Sequence, residues 1–455
     1  MTLHDLDARA DDLRRALGDK VVLAGDSGYD TARTPWNLAI DQRPFAVARP
    51  DSADDVVAVV RAAVSAGLRV APQSTGHGAG ALSGTDLSAT VLVSLAGLRG
   101  VTVDEQARTA RVLGGSQWHD VLEASTPHGL TAMHGSAGDV SVAGYILSGG
   151  LSFYGRRHGL AVNTLREVQL VTADGSLVRA SADENPDLFW AIRGGSANFG
   201  IVVSLEIDLL PYADVFAGML LWDAARAEEV MDAWTRWTAT APESATTTLR
   251  VLHLPPLPEL PPFLSGRSLV VIDGAILETD AAASALLEPL RALEPEIDTF
   301  ARMPAAGLTA VHMDPPEPSP AFARHAVLAG LPAGAREAVL GALGLPGLFV
   351  AEVRHVGGAF RRRSEGAGAV GSLTGEYAVN LIAMVPAPEA AAGADAAVRA
   401  GIEMLRPWHI DSLVLTFIDA GDVDRALGFG AALGRLRELK QVYDPAGVLV
   451  AGQPV

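Results

Sequence analysis

The sequence predicts an α+β chain: a glycine-rich N-terminal half, a separate sheet-and-helix module, and a C-terminal segment that returns to the first half. Three observations predict it. Two glycine-dense stretches, PQSTGHGAG (72–80) and the run from Gly135 to Gly159, lie among short strands. After about residue 212 the glycine loops give way to strands alternating with Ala-rich helices. No internal repeat or low-complexity tail breaks this layout.

Taken in order, residues 5–17 read as a short helix with Leu6, Leu13 and Leu17 on one side. PDSADDVVAVVRAAVSAG (50–67) is a helix that Ser52 can cap, with Asp55 three residues on. Val56, Val59, Val60, Ala63 and Val64 recur at the helical period, and Gly67 closes it. Short strands follow at 90–95, 100–104 and 109–115, then a helix from about Trp118 to Ser125. REVQLVTADGSLVRA (166–180) reads as a hairpin turning at Ala-Asp-Gly. NPDLFWAIRGG (185–195) is a helix with Pro186 in its first turn, and IVVSLEIDLL (201–210) is a strand ended by Pro211. Beyond 212, strands are expected at 217–222, 246–254, 268–277, 348–356, 376–385 and 412–418. Helices are expected near 224–239, 280–293, 334–343, 388–405 and 425–442. The proline clusters 255–263 and 315–320 are expected loops.

Composition narrows the function. The 455 residues suggest two or three domains of about 150 residues. The net charge of −18 argues against nucleic acid and anionic membrane surfaces, which need basic patches. The chain has no cysteine, which excludes disulfides, thiolate catalysis, zinc–cysteine sites and iron–sulfur clusters; no metal site is expected. The charged N-terminus lacks the apolar core of a signal peptide, and no stretch reaches the roughly 20 apolar residues of a membrane span. A soluble cytoplasmic protein, monomer or homodimer, is the expectation.

Chemistry gathers at the glycine loops. Successive backbone N–H groups in such turns form anion-binding concavities, so two loops can grip a long dinucleotide at two places. A Rossmann site needs G-x-G-x-x-G between a strand and a helix, and no periodic helix follows GHGAGALSG (76–84). A P-loop needs Gly-Lys-Ser/Thr, which is absent.

The strings RPFAVARPDSADDVVAVVRAA, the Gly-His loop, SGGLSFYGRRHGL, VTADGSLV and NPDLFWAIRGGSANFGIV stand in one order. Together they resemble the FAD-linked oxidases of the vanillyl-alcohol-oxidase superfamily, whose FAD-binding domain is of the PCMH type. The berberine-bridge-enzyme-like branch is nearest. The resemblance is dense over residues 28–211 and returns at LRELKQVYDPAGVL. It implies an FAD-binding domain at 1–211 with a PCMH-type core at about 40–211. It also implies a substrate-binding domain at 212–418, with an antiparallel sheet backed by helices, and a C-terminal berberine-bridge-like segment at 419–455.

By the same resemblance, the loop Gln73, Ser74, Thr75, Gly76, His77 and Gly78 wraps the FAD pyrophosphate. His77 is the point of covalent attachment to the flavin 8α-methyl; the other reading is a loop histidine beside noncovalent FAD. The second loop lines the far side of FAD through Gly135, Gly138, Asp139, Val140, Gly144, Tyr145, Gly149 and Gly150. Ala137 stands where many members attach a cysteine, so the linkage is expected to be monocovalent. Tyr145 stands where a histidine is frequent, and Asn163 where an aspartate is. Gly200, Ile201 and Val202 match a strand start that contacts FAD through its backbone. Trp190 and Arg193 are expected to pack and pair, and His158 to be structural or on the surface.

Relatives place a tyrosine or glutamate base on the substrate-domain sheet. Here TGEYAVN offers Tyr377 first and Glu376 second, a tyrosine that only packs being the alternative. Arg354, His355 and Asn380 are candidate substrate-binding residues. Phe429 stands where a second tyrosine is aligned and cannot accept a proton. The implied activity is oxidation of a small organic alcohol, sugar or specialised metabolite, with dioxygen as acceptor and hydrogen peroxide as product. The alternatives are a redox-neutral or dehydrogenase flavoenzyme, or a flavin-bearing protein that binds a metabolite.

Overall fold

The computed structural model of the protein describes residues 3–256, 258 and 264–455. Most of the proline cluster 255–263 lies outside the described residues. Three sheets organise the rest.

The first sheet holds β1 (Val21–Leu23), β2 (Ala46–Ala48), β3 (Arg69–Gln73) and β4 (Thr90–Ser94) in the order β1-β2-β4-β3. The β2–β4 and β3–β4 pairs are parallel. Parallel neighbours need a crossover, and the helix Ala53–Ser65 connects β2 to β3. That helix starts with the capping box the sequence announces, Ser52 and Asp55 bonding reciprocally. Its Val56, Val59, Val60 and Ala63 are buried against Val70, Val91 and Val93 of the sheet.

The second sheet is antiparallel: β5 (Val101–Asp104), β6 (Thr109–Leu113), β7 (Leu165–Val171), β8 (Leu177–Ser181) and β9 (Ile201–Asp208), in the order β5-β6-β9-β7-β8. The glycine stretches lie in the connections: 74–80 after β3, and 135–159 between β6 and β7.

The third sheet is antiparallel and has eight strands. They are β10 (Asp214–Asp223), β11 (Ala245–His253), β12 (Ser268–Ile276), β13 (Ile297–Asp298), β14 (Ala301–Pro304), β15 (Ala321–Leu328), β16 (Leu348–His355) and β17 (Tyr377–Met384). Their order is β13-β10-β12-β11-β16-β17-β15, with β14 also on β10. The helices Ala227–Thr238, Asp280–Arg291, Ala333–Leu343 and Ala391–Leu405 supply the core on one face, packing on Leu249, Ile272, Val353, Val379 and Leu381. The α+β class with antiparallel sheets is therefore the observed one. Among the described residues, no helix is long and apolar enough to cross a membrane.

Three expectations differ from what is observed. Segment 412–418 is not a strand; it carries a single 3₁₀ turn, Leu415–Phe417. Its polar groups bridge modules instead: the Val414 N–H donates to His325 Nε2 at 3.0 Å, and the Thr416 hydroxyl donates to the Ser148 carbonyl at 2.9 Å. The helix expected over 425–442 breaks at Gly430, whose φ is +52°, into Ala426–Phe429 and Leu433–Tyr443. Strand β15 went unread because it follows the proline cluster 315–320 directly. The tail returns to the first sheet, where the Val450 N–H donates to Val70 O at 2.8 Å.

Candidate active site

His77 sits at the tip of the loop that follows β3. Gly76 makes the turn at φ +83°, and a Cβ there would lie 2.6 Å from Pro35. A Cβ at Gly78 would meet nothing within 4 Å, so this glycine faces open space that a ligand can fill. The His77 ring stacks on Trp36, with centroids 4.3 Å apart and planes 18° from parallel. Its Nδ1 is hydrogen-bonded to Thr75 Oγ1 at 2.8 Å. Its Nε2 lies 3.4 Å from Asp139 Oδ2 and makes no formed hydrogen bond. Asp139 accepts the Trp36 indole N–H at 2.7 Å. Burial would push the Asp139 carboxyl up, but His77 and Trp36 outweigh it and hold it below the usual range. The two predicted loops thus meet at one histidine.

The second loop is packed more tightly. Gly135 O accepts from His134 Nδ1 at 2.6 Å, and a Cβ at Gly138 would strike the His119 ring at 2.0 Å. The backbone of Val140 takes the Trp118 N–H at 3.1 Å. Gly144 N donates to Ser141 Oγ, which caps the helix Val142–Leu147. Gly149 and Gly150 follow with positive φ, and Gly150 N donates to Thr416 Oγ1 at 3.0 Å. Tyr145 fills the space between Gly135 and Gly150, its hydroxyl buried and unpartnered. Burial pushes that phenol far up, so it stays protonated. Asn163 donates to Gly371 O and leaves its own Oδ1 unpartnered. Gln73 and Ser74 lead into the first loop, Ser74 donating to Gly114 O at 2.9 Å. Gly200, Ile201 and Val202 sit at the start of β9, where Val202 O packs on Gly114.

Opposite these loops lies the third sheet's other face, and its register decides which side chains it shows. Alternate residues face opposite ways. Val353, Val379 and Leu381 face the helices, so Glu352, Arg354 and Asn380 face away from them. Cross-strand pairing aligns Arg250, Glu352, Asn380 and His325 in one row. Asp273, Thr248 and Arg354 form the next.

This face holds a buried charge network. Arg250 pairs with Asp273 at 2.6 Å. His312, from the turn after Ala305–Ala310, donates from Nδ1 to Asp273 at 3.0 Å and from Nε2 to Glu352 at 3.1 Å. Both ring nitrogens donate, so the ring is an imidazolium; burial and Arg250 lower its pKa, but the carboxylates prevail and the net shift is upward. Glu352 also takes the Arg354 guanidinium. Burial would raise Glu352, yet Arg354 and His312 hold it well below the usual range. Arg354 in turn lies 5.1 Å from the Phe417 ring and lowers the Tyr145 phenol electrostatically. Phe153, from the second loop, abuts His312 at 6.0 Å. The network therefore faces the glycine loops, and Asn380 Oδ1 is left without a partner there.

The two base candidates are not on this face. Tyr377 points among the helices, where its hydroxyl bonds Thr238 Oγ1 at 2.7 Å and its ring packs near Trp234. Residues 377, 379 and 381 do share a side, but it is the helix side. Glu376 precedes the strand and pairs with Arg361 near the surface. His355 follows Tyr377: Arg156 donates to its Nε2 at 2.7 Å, and burial with that cation pushes it down to about 2. Arg354 and Asn380 reach the site; His355, Tyr377 and Glu376 do not. Tyr377→Phe is expected to cost about 1 kcal/mol of stability, one neutral hydrogen bond, and to leave any turnover unchanged. A rate loss of about 10²-fold at unchanged stability would make it the base after all.

Sequence reading missed Arg250, Asp273, His312 and Glu352. The signal was a charge inside an apolar strand, as in LVVIDGAI, since unpaired charges are almost never buried.

A glycine cradle that leaves a histidine, a tyrosine and an asparagine with unmet polar atoms, facing a polar sheet, is suited to hold a dinucleotide. Residues 44–181 match the family described as FAD binding domain. That stretch is an FAD binding domain, and the proteins similar to the chain in sequence and in fold include FAD-linked and berberine-bridge-enzyme-like oxidases. It is 34% identical over 211 residues to (R)-6-hydroxynicotine oxidase of Paenarthrobacter nicotinovorans, 46% of this chain. The chain spans less than half the length of the curated relatives it matches, 45% in this case. In fold it is similar to berberine-bridge-enzyme-like 1 of Physcomitrella patens, with a TM-score of 0.84 at 21% identity over 97% of this chain and 98% of that one. It is also similar to glucooligosaccharide oxidase of Acremonium strictum, described with a 6-S-cysteinyl, 8α-N1-histidyl FAD. That TM-score is 0.81 at 19% identity, over 98% of this chain and 99% of that one.

Proposed function

We propose that this chain is an FAD-linked oxidase of a small organic alcohol, sugar or specialised metabolite, with FAD held covalently through His77. The alcohol loses two electrons and two protons and becomes a carbonyl; dioxygen takes both and becomes hydrogen peroxide. The observation that carries this reading is the pairing of the His77 cradle with a sheet face that presents Arg354 and the unpartnered Asn380. In this reading residues 1–211 bind FAD, 212–418 bind substrate and 419–455 brace the first part. The covalent linkage is supported by the histidyl FAD of glucooligosaccharide oxidase and by the place of His77 at the tip of the glycine loop. The cysteinyl bond of that relative has no counterpart, since this chain has no cysteine.

When bound, FAD supplies a two-electron acceptor for the substrate hydride. The protein's own groups handle the substrate oxygen. Asn380 Oδ1 accepts the substrate O–H. Arg354 and the protonated Tyr145 place a cation and a donor where negative charge grows on oxygen. Both Glu352 oxygens are engaged, one by Arg354 and one by His312, so Glu352 orients Arg354 rather than taking the proton. The site therefore works through oxyanion stabilisation, and the proton leaves to water. Phe429, buried and apolar, favours a dehydrogenase or redox-neutral variant as the second reading.

Anaerobic mixing with a panel of alcohols and sugars separates the readings. An oxidase substrate bleaches the flavin, and air restores it with peroxide. Bleaching without recovery in air supports the dehydrogenase. Tight binding without bleaching favours a flavin-bearing protein that binds a metabolite.

A further inference from the structure

A cleft of about 860 Å³ opens where segments 39–43 and 82–88 meet β15, the start of the helix Ala391–Leu405 and the tail at 419–422. His77, Glu352, Arg354 and Asn380 do not line it, and it adjoins the first glycine loop only where Asp419 meets Gly80. Its charges do not cancel. Arg43 pairs with Asp41 at 2.7 Å, Arg324 with Asp422 at 2.7 Å and Arg399 with Asp395 at 2.6 Å. Asp86 and Asp419 remain, and neither makes an ion pair among the described residues.

Asp419 is the more informative. Its carboxyl accepts only neutral donors, Gly80 N–H at 3.0 Å and Asn37 Nδ2 at 2.9 Å. Burial pushes it up to about 7, as expected of a carboxylate that lacks a cation. A second observation is independent of charge. Gln42 also lines the cleft, is 3% exposed, and finds no partner for either its amide oxygen or its amide nitrogen. A buried amide left unmet is destabilising, and a ligand would relieve it.

The missing partner must carry positive charge for Asp419 and an N–H donor for the Gln42 carbonyl. A metal ion would need several converging ligands, and among the described residues no group of three or more histidine, aspartate or glutamate side chains could hold one. Phe322, Leu82 and Leu87 offer apolar lining for a carbon stem. We propose that this cleft binds a small organic ammonium compound, its charge against Asp419, its N–H on Gln42 and its stem along Phe322. The proposal stands apart from the flavin chemistry.

Putrescine titrated into the holoprotein by calorimetry tests it, with butanediol as the uncharged match. Putrescine is expected to bind saturably and butanediol not at all. Gln42→Leu and Asp419→Asn should each weaken putrescine at least about tenfold while FAD content stays unchanged. The proposal is overturned if putrescine does not bind, if butanediol binds equally, or if both variants bind like the parent. Should Asp419→Asn misfold through its Gly80 contact, Asp86→Asn replaces it and must show the same direction of effect.

Discussion

Acid precipitation of the His77→Ala protein is expected to leave all of its FAD in the supernatant, while the parent pellet stays yellow and fluoresces in a denaturing gel. The expectation follows from where His77 stands and from what the chain lacks. There is no cysteine to form a second bond, and His77 stands at the tip of the first glycine loop beside Asp139 of the second. Its ring is already fixed by Trp36 on one face, Thr75 on Nδ1 and Asp139 beside Nε2. A side chain so constrained loses little rotamer freedom on bonding, so the cost of alignment is met within the fold. The variant should still fold, because Gly76 and Trp36 set the loop and His77 takes no part in a core cluster. Yellow pellets from His77→Ala would sink the assignment, and so would colourless pellets from the parent.

The cofactor side was more legible in the sequence than the substrate side, for physical reasons. Glycine loops signal themselves locally: Gly76 needs a positive φ, and Gly138 needs room for His119. The Ser52–Asp55 box and the ADG hairpin are likewise short-range events. The substrate face is not local. Glu352 and Arg354 belong to it, and His355 does not, through a one-residue difference in strand phase. The alternation from Tyr377 to Leu381 is plain in the sequence, but which side meets the helices depends on residues 227–405 packing as a unit. His312 was beyond reach for the same reason. It lies on a loop, and only the folded sheet brings Asp273 and Glu352 to either side of its ring.

The second large effect belongs to Arg354. Arg354→Met is expected to lower kcat/KM per bound flavin by about 10²–10³-fold, or about 2.7–4 kcal/mol, the range for removing one oxyanion donor. Stability alone could mimic this, since stripping one partner from a buried pair costs about 3–5 kcal/mol. Arg354→Lys separates the two. It keeps the charge beside Glu352, so folding and FAD content should recover, whereas a point charge cannot reproduce the planar fork and the rate should recover only in part. Glu352→Gln completes the test from the other side. It leaves Arg354 in place but removes the carboxylate that orients it and that faces His312. If Arg354 carries the substrate oxygen, the Glu352→Gln rate falls with Arg354 intact, and the double variant is no worse than Arg354→Met alone, because the two act as one unit. If Arg354 only braces the sheet, all three variants lose stability while the rate per bound flavin holds. The network would then be a structural clasp between the modules, and the substrate oxygen would have to find its partner in Tyr145 and Asn380.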